Sequence, residues 1–242
     1  MQQPMSAFRP SALETLAFSD VGPSLAPLSF GRAGSAGGTM DPGNAVIKRV
    51  ADFVLALTGL IVMSLPMLLV GAAIRLTSKG PALFRQERIG LYGQRFVMLK
   101  FRTMRHVEEP PGSCPQAIRD DPRVTRIGGW LRRTSFDEFP QLINVLAGSM
   151  SLVGPRPHAP GTCAAGRPFE AISRRYGARH AVKPGMTGLA QIRGWRGETD
   201  TEEKLLRRID SDLEYIATWS PGHDLLILFR TIVTMLRMPN AY

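Results

Sequence analysis

Phe53-Val-Leu-Ala-Leu-Thr-Gly-Leu-Ile-Val-Met-Ser-Leu-Pro-Met-Leu-Leu-Val-Gly-Ala-Ala-Ile74 contains no charged residue. A run of roughly 20 apolar residues is long enough to cross the hydrocarbon of a bilayer. Pro66 falls inside the run, where it removes a backbone donor and bends a helix. Lys48 and Arg49 precede it, and Arg75 and Lys79 follow. Basic residues at both ends give no direction under the positive-inside rule, and they suit a segment that enters the membrane and returns to the side it left. On the residues alone, a bent re-entrant helix and a straight span stand level.

Before this run, residues 1–44 are rich in Gly, Pro, Ser and Ala without sustained periodicity, and a flexible tail is expected there. They show no basic segment leading into a short apolar one, as a cleaved secretory signal does. After the run, a chain of 242 residues with 44% hydrophobic content can still close one good-sized core. Charge is basic, 30 Lys+Arg against 20 Asp+Glu for a net +10, and residues 53–242 carry the whole excess. That sign attracts phosphates on nucleic acid, anionic lipid or nucleotides without choosing among them, and solubility alone accounts for it equally well.

Cys114 and Cys163 are isolated, which argues against a disulfide scaffold and for a reducing, cytoplasmic setting. His106, His158, His180 and His223 are scattered without the spacing of a zinc site.

Leu83–Ile89 and Arg95–Met104 read as strands joined through Gly90-Leu-Tyr-Gly93. Glu108 to Pro122 reads as a mobile loop. Helices are expected over Ile127–Arg133 and Glu138–Ala147, the second closed by Gly148. Gly154-Pro-Arg-Pro157 is a stiff loop, and Lys183-Pro-Gly-Met-Thr-Gly188 a turn into a short strand at Leu189–Ile192. In Thr201–Trp219, Leu205, Ile209, Leu213 and Ile216 share one helical face. Asp224–Met238 is an apolar helix interrupted by Arg230 and Arg237; it suits the lipid headgroup layer or a soluble core equally. The expected class is α+β, mainly helical, with residues 45–78 as a membrane helix and 79–242 as a small domain.

Arg132-Arg-Thr-Ser-Phe-Asp-Glu-Phe-Pro-Gln-Leu142 carries the most chemistry. Its plain reading is a capping box, Ser135 with Glu138, at the start of a helix. Pro140 is tolerated only in a first turn, which favours Asp137 as the cap and sets it at a helix mouth, where anions such as phosphate are favoured. The chemical reading is different. A carboxylate can attack phosphorus to form an acyl phosphate, provided that cations neutralise both anionic partners. Mg²⁺ serves that need, with a neighbouring carboxylate as ligand. Arg102, Arg132 and Arg156 are candidate phosphate contacts; Arg156 stands between two prolines, which limits the entropy lost on binding.

Lys100-Phe-Arg-Thr-Met104, the Arg132…Leu142 stretch, Asn144-Val-Leu146, Met150-Ser-Leu-Val-Gly-Pro-Arg-Pro157 and Lys183-Pro-Gly-Met-Thr-Gly188 follow one another in fixed order. Together they resemble the bacterial sugar transferase family, the monotopic phosphoglycosyl transferases, from about Lys48 to Tyr242. The ending Gly194-Trp-Arg-Gly-Glu-Thr-Asp-Thr201, then Asp212-Leu-Glu-Tyr-Ile216, looks like the branch that primes exopolysaccharide synthesis.

The resemblance implies a re-entrant membrane helix, a cytoplasmic catalytic domain at the bacterial inner membrane and interfacial amphipathic helices. It implies a ping-pong transfer of a hexose 1-phosphate from a UDP-sugar to polyprenyl phosphate, with loss of UMP. Asp137 would be the nucleophile, its carboxyl oxygen lying beside the diphosphate. Glu138, with Asp137, would hold Mg²⁺. Lys100, Arg102, Arg132 and Arg156 would contact phosphates, with Lys183 and Arg193 as further substrate or phosphate contacts. UDP-glucose or UDP-galactose is the expected donor, and anionic membrane lipid an expected partner. Three departures from the family pattern stand out: Ser64-Leu65-Pro66 in place of an adjacent Ser-Pro pair, Leu189 where many relatives have Trp, and Arg193 where they often have Asn. The rival readings are a membrane-anchored basic protein that binds nucleic acid and a non-catalytic adaptor. No helix-turn-helix, zinc or aromatic-basic signature supports the first, and the intact Asp-Glu pair argues against the second.

Overall fold

A computed structural model describes residues 45–105, 121–195, 197 and 199–237. The expected tail at 1–44, Cys114, His106 and nearly all of the expected loop at 108–122 lie outside these residues.

The apolar run lies within helix α1, Val46–Thr77, which stays helical through Pro66. Only 6% of its most apolar stretch is buried, against the mostly buried face of a soluble core helix. Ile61, Val62, Leu65, Leu68 and Leu69 are all exposed, a continuous apolar surface that water does not favour.

Both ends of α1, in contrast, pack on the rest of the chain. At the N-terminal end, Lys48 donates to the Val153 carbonyl and to Asp224, Arg49 to the carbonyls of Val145 and Leu146, and Asp52 accepts from the Leu152 N–H. Toward the C-terminal end, Ile74 packs with Phe101 and Leu131.

Strands β1 (Leu83–Ile89) and β2 (Arg95–Phe101) form the expected antiparallel hairpin, from Leu83 opposite Phe101 to Ile89 opposite Arg95. The second strand stops three residues short of expectation, and Met104 makes only an isolated bridge to Val124. The turn needs left-handed backbone at Tyr92 (φ 53°) and Gly93 (φ 77°).

Helix α2, Arg126–Thr134, is capped by the Thr125 hydroxyl, which accepts from the Gly128 N–H. It ends at Ser135 in the left-handed region (φ 55°). The helix expected from Glu138 to Ala147 starts three residues late. Phe136–Glu138 is a single 3₁₀ turn, and helix α3, Gln141–Ala147, begins after Pro140. Pro140 lacks an N–H and sits as the N-cap, so the helix starts where that loss costs nothing. Asp137 is therefore not its cap. Gly148 (φ +86°) closes α3 as expected.

Strand β3, Ser151–Val153, leads into the Gly154–Pro157 loop. Short strands β4 (Cys163–Ala164) and β5 (Arg167–Pro168), helix α4 (Phe169–Ile172) and a 3₁₀ segment Tyr176–Ala181 follow. The next strand, β6, is Gly185–Thr187, parallel to β3, and Leu189–Ile192 is a helical turn, α5, where a strand was expected. Glycine contacts explain the shift. A Cβ on Gly185 would lie 2.1 Å from the Gly154 nitrogen, and one on Gly188 2.3 Å from its carbonyl oxygen, so only these glycines let the two motifs pair.

Helix α6, Glu202–Ala217, buries Leu205 and Ile209. Helix α7, Pro221–Arg237, buries Ile227 in the main core with Leu142, Val145, Met150, Tyr215 and Trp219. It leaves Leu225, Leu226, Phe229 and Ile232 exposed. The described residues are mainly helical with few short strands.

Candidate active site

The 3₁₀ turn after α2 sets Asp137 and Glu138 side by side, facing groups from two distant segments. Lys100 of β2 donates to the Glu138 Oε1 at 3.0 Å. Arg156, from the loop after β3, donates Nη2 to the same oxygen at 2.5 Å and Nη1 to Oε2 at 3.3 Å. This is the forked geometry in which a guanidinium grips a carboxylate. The capping-box reading fails at this point, because the Glu138 side chain turns to two cations instead of back to Ser135.

Burial alone would push the Glu138 carboxyl up, but Arg156 and Lys100 hold it well below the usual carboxylate range. Asp137 behaves oppositely. Burial, then the charge of Glu138, raise it, against the pull of Lys100, Arg156 and Arg132. Asp137 is only 9% exposed, more recessed than an oxygen lying open beside a diphosphate. The charges that act on it come from Glu138, Lys100, Arg156 and Arg132. Lys100 is itself lowered, chiefly by burial.

The other candidate residues divide. Arg132, in the last turn of α2, contributes to the field at Asp137 while donating Nε to the Thr103 hydroxyl at 3.0 Å. Arg102 turns away, donating to the carbonyls of Ser78 and Lys79 and to the Ser78 hydroxyl at the end of α1. Lys183 and Arg49 both lie beside Gly148, and burial followed by that guanidinium lowers Lys183. Arg193 is exposed and paired with Glu214 through two bonds of 2.6 Å.

Sequence reasoning missed Arg88. Its guanidinium is lowered to about 10, by burial first and Arg156 next, against the pull of Glu138, which places it in the same field. The hairpin register held the signal: Arg88 is opposite Phe96 and Phe84 is opposite Lys100, so period-two counting puts Arg88 and Lys100 on one face. Arg179, His158 and Asp212 were missed as well.

Among the described residues no group of three or more His, Cys, Asp or Glu is placed to hold a metal ion. Asp137 and Glu138 are the two carboxylates that could hold one, with both Glu138 oxygens engaged by Lys100 and Arg156. Adjacent carboxylates are the donor type Mg²⁺ takes, since it binds one or two protein carboxylates and completes its shell with water and substrate phosphate.

Residues 43–238 match the family model described as bacterial sugar transferase. Over 196 residues the chain is 52% identical to the UDP-glucose:undecaprenyl-phosphate glucose-1-phosphate transferase of Caulobacter vibrioides, covering 81% of this chain and 72% of that protein. It is 49% identical over 189 residues to the Escherichia coli K12 protein of the same name, covering 78% of this chain but only 40% of that protein. The exopolysaccharide production protein PSS of Rhizobium leguminosarum bv. phaseoli is 47% identical over 197 residues, with 81% of this chain and 98% of the relative covered. The chain belongs to the bacterial sugar transferase family.

Proposed function

We propose that this protein transfers a hexose 1-phosphate from a UDP-sugar to polyprenyl phosphate, releasing UMP, as the first step of exopolysaccharide or glycoconjugate assembly. One observation carries the reading: an Asp137-Glu138 pair recessed between Lys100 and Arg156, cations contributed by two segments far from it in sequence.

In the first half-reaction a carboxylate oxygen of Asp137 attacks the β-phosphorus of the UDP-sugar. The bond from that phosphorus to the bridging oxygen breaks, and UMP leaves with the oxygen. In the second, an oxygen of polyprenyl phosphate attacks the same phosphorus and the Asp137 carboxylate leaves, giving a polyprenyl-diphosphate sugar. Lys100 and Arg156 bind the diphosphate by exchanging part of their hold on Glu138, and this exchange opens the recess around Asp137. Arg132 adds positive field on the Asp137 side. Glu138 and Asp137 would be the residues to hold Mg²⁺, which would supply neutralisation between the nucleophile and the anionic substrate.

The acceptor is a lipid, and the placement of α1 suits it. The middle of the helix is apolar and exposed while both ends pack on the same domain, which supports a re-entrant anchor at the cytoplasmic face of the inner membrane. The exposed Leu225, Leu226, Phe229 and Ile232 of α7 suit the headgroup layer. Arg49 and Lys183, both beside Gly148 near the start of α1, suit anionic lipid. Relatives named for UDP-glucose, and one from Erwinia amylovora named a UDP-galactose-lipid carrier transferase, make glucose or galactose the first sugars to test.

The test is purified protein in detergent with Mg²⁺, polyprenyl phosphate and a panel of UDP-sugars. UMP and a lipid-linked phosphosugar are the expected products. Folded protein that releases no UMP with any member of the panel overturns the reading.

A further inference from the structure

Four successive carbonyls, Pro155 to His158, fix the loop that presents Arg156. That of Pro155 accepts from the Gly185 N–H at 2.9 Å, that of Arg156 from Arg179 Nη2 at 2.6 Å, that of Pro157 from Arg88 Nη1 at 3.4 Å, and that of His158 from the Ile89 N–H at 3.0 Å. Arg179 is the buried member of this set. It is 2% exposed, and its Nε and Nη2 grip one Asp212 oxygen at 2.9 and 2.7 Å, while Nη1 lies 3.0 Å from His158 Nδ1. Asp212, on α6, is equally buried.

A buried ion pair is weak evidence of a stabilising role, because apolar residues of similar volume often serve stability as well or better. The Arg179–Asp212 pair does something that an apolar pair cannot: it aims a guanidinium N–H at the Arg156 carbonyl.

We propose that Arg179, clamped by Asp212, is a positioning residue for diphosphate binding, acting through the Arg156 backbone to hold the Arg156 guanidinium beside Glu138 and the incoming phosphates. The inference rests on the proposed transferase reading. Arg179 touches no substrate. Its effect is preorganisation: a loop free to shift by about 1 Å loses the forked contact, a displacement that costs up to about 100-fold in rate.

The experiment compares wild type, Arg179→Lys, the double variant Arg179→Met/Asp212→Leu and Arg156→Ala, with thermal unfolding and full kinetics for each. Lysine can still pair with Asp212 but cannot also reach the Arg156 carbonyl as the guanidinium fork does. The expected result is that both the Lys and the double variants unfold close to wild type. Their KM for the UDP-sugar should rise about tenfold or more, and kcat should change less. Combined with Arg156→Ala, neither change should add more than about twofold, because both act through one side chain.

Two results overturn the positioning role: a folded variant with wild-type KM, or losses that multiply in the Arg156→Ala background. If the double variant does not fold, Arg179→Lys decides alone. If neither folds, the pair is structural and the role is also overturned. Wild-type turnover separates the two ideas, since absence of UMP release there defeats the transferase reading itself, whatever the variants do.

Discussion

Burial and the Glu138 charge push the Asp137 carboxyl from 3.8 up to about 6, although Lys100, Arg156 and Arg132 pull the other way. A native value above the unfolded one means that the folded protein keeps this proton longer as the pH rises. The stability it represents is fully present below about pH 4 and lost as the pH passes through about 6. Asp137→Asn should therefore raise stability at pH 7.5 by roughly 1–3 kcal/mol, with the gap closing toward pH 4, as thermal unfolding across that range will show. The same substitution should reduce turnover by at least about 1,000-fold, since an amide is a far poorer nucleophile. In wild type, kcat/KM should fall on the acid side of about pH 6 as the nucleophile takes up its proton. A flat profile down to pH 5 contradicts Asp137 as the titrating group. Glu138→Gln leaves Lys100 and Arg156 facing a neutral amide, and it should both impair turnover severely and weaken the response to added Mg²⁺. A variant with the wild-type Mg²⁺ titration removes Glu138 from the ligand set. Asp137 and Glu138 were legible as a pair because adjacent acids beside arginines are hard to miss. Their geometry was not, because the capping signal of Ser135 and Glu138 is local and the cations that override it lie 38 and 18 residues away.

Among the elements, those governed by near neighbours were readable. The hairpin followed from two alternating runs around a Gly-Leu-Tyr-Gly turn, and the end of α3 from Gly148. What escaped depended on distant pairing. Gly185–Thr187 is a strand because Ser151–Val153 lies beside it, and the glycine contacts that permit this cross from one motif to the other. Gly185→Ala tests that account. Its Cβ would meet backbone, not a flexible side chain, so the variant should lose about 2 kcal/mol or more and unfold at lower denaturant. Unchanged stability would show that β3 and β6 tolerate separation. The Arg179–Asp212 clamp was invisible for the same reason, since its two members lie 33 residues apart on different elements.

At the scale of the molecule, the apolar run announced a membrane element, and its exposed middle agrees with that reading. Its direction could not be read from flanking charge alone, because basic residues stand at both ends. Lys48 pairs with Asp224 of α7 at 2.6 Å, and Ile74 is buried with Phe101 and Leu131, so both ends of α1 pack on the rest of the chain. Cysteines introduced near residues 45 and 80 should both resist a reagent confined to the periplasm. Labelling at either one contradicts a re-entrant anchor and favours a full span.

The proposed aspartyl intermediate is covalent, so intact-protein mass spectrometry after incubation with UDP-sugar and Mg²⁺, with no lipid acceptor present, can detect it. The expected result is a mass increase of one phosphosugar, mapped to Asp137, absent from Asp137→Asn and discharged when polyprenyl phosphate is added. Turnover by wild type without such an adduct under rapid quench, or an adduct on another residue, would contradict it.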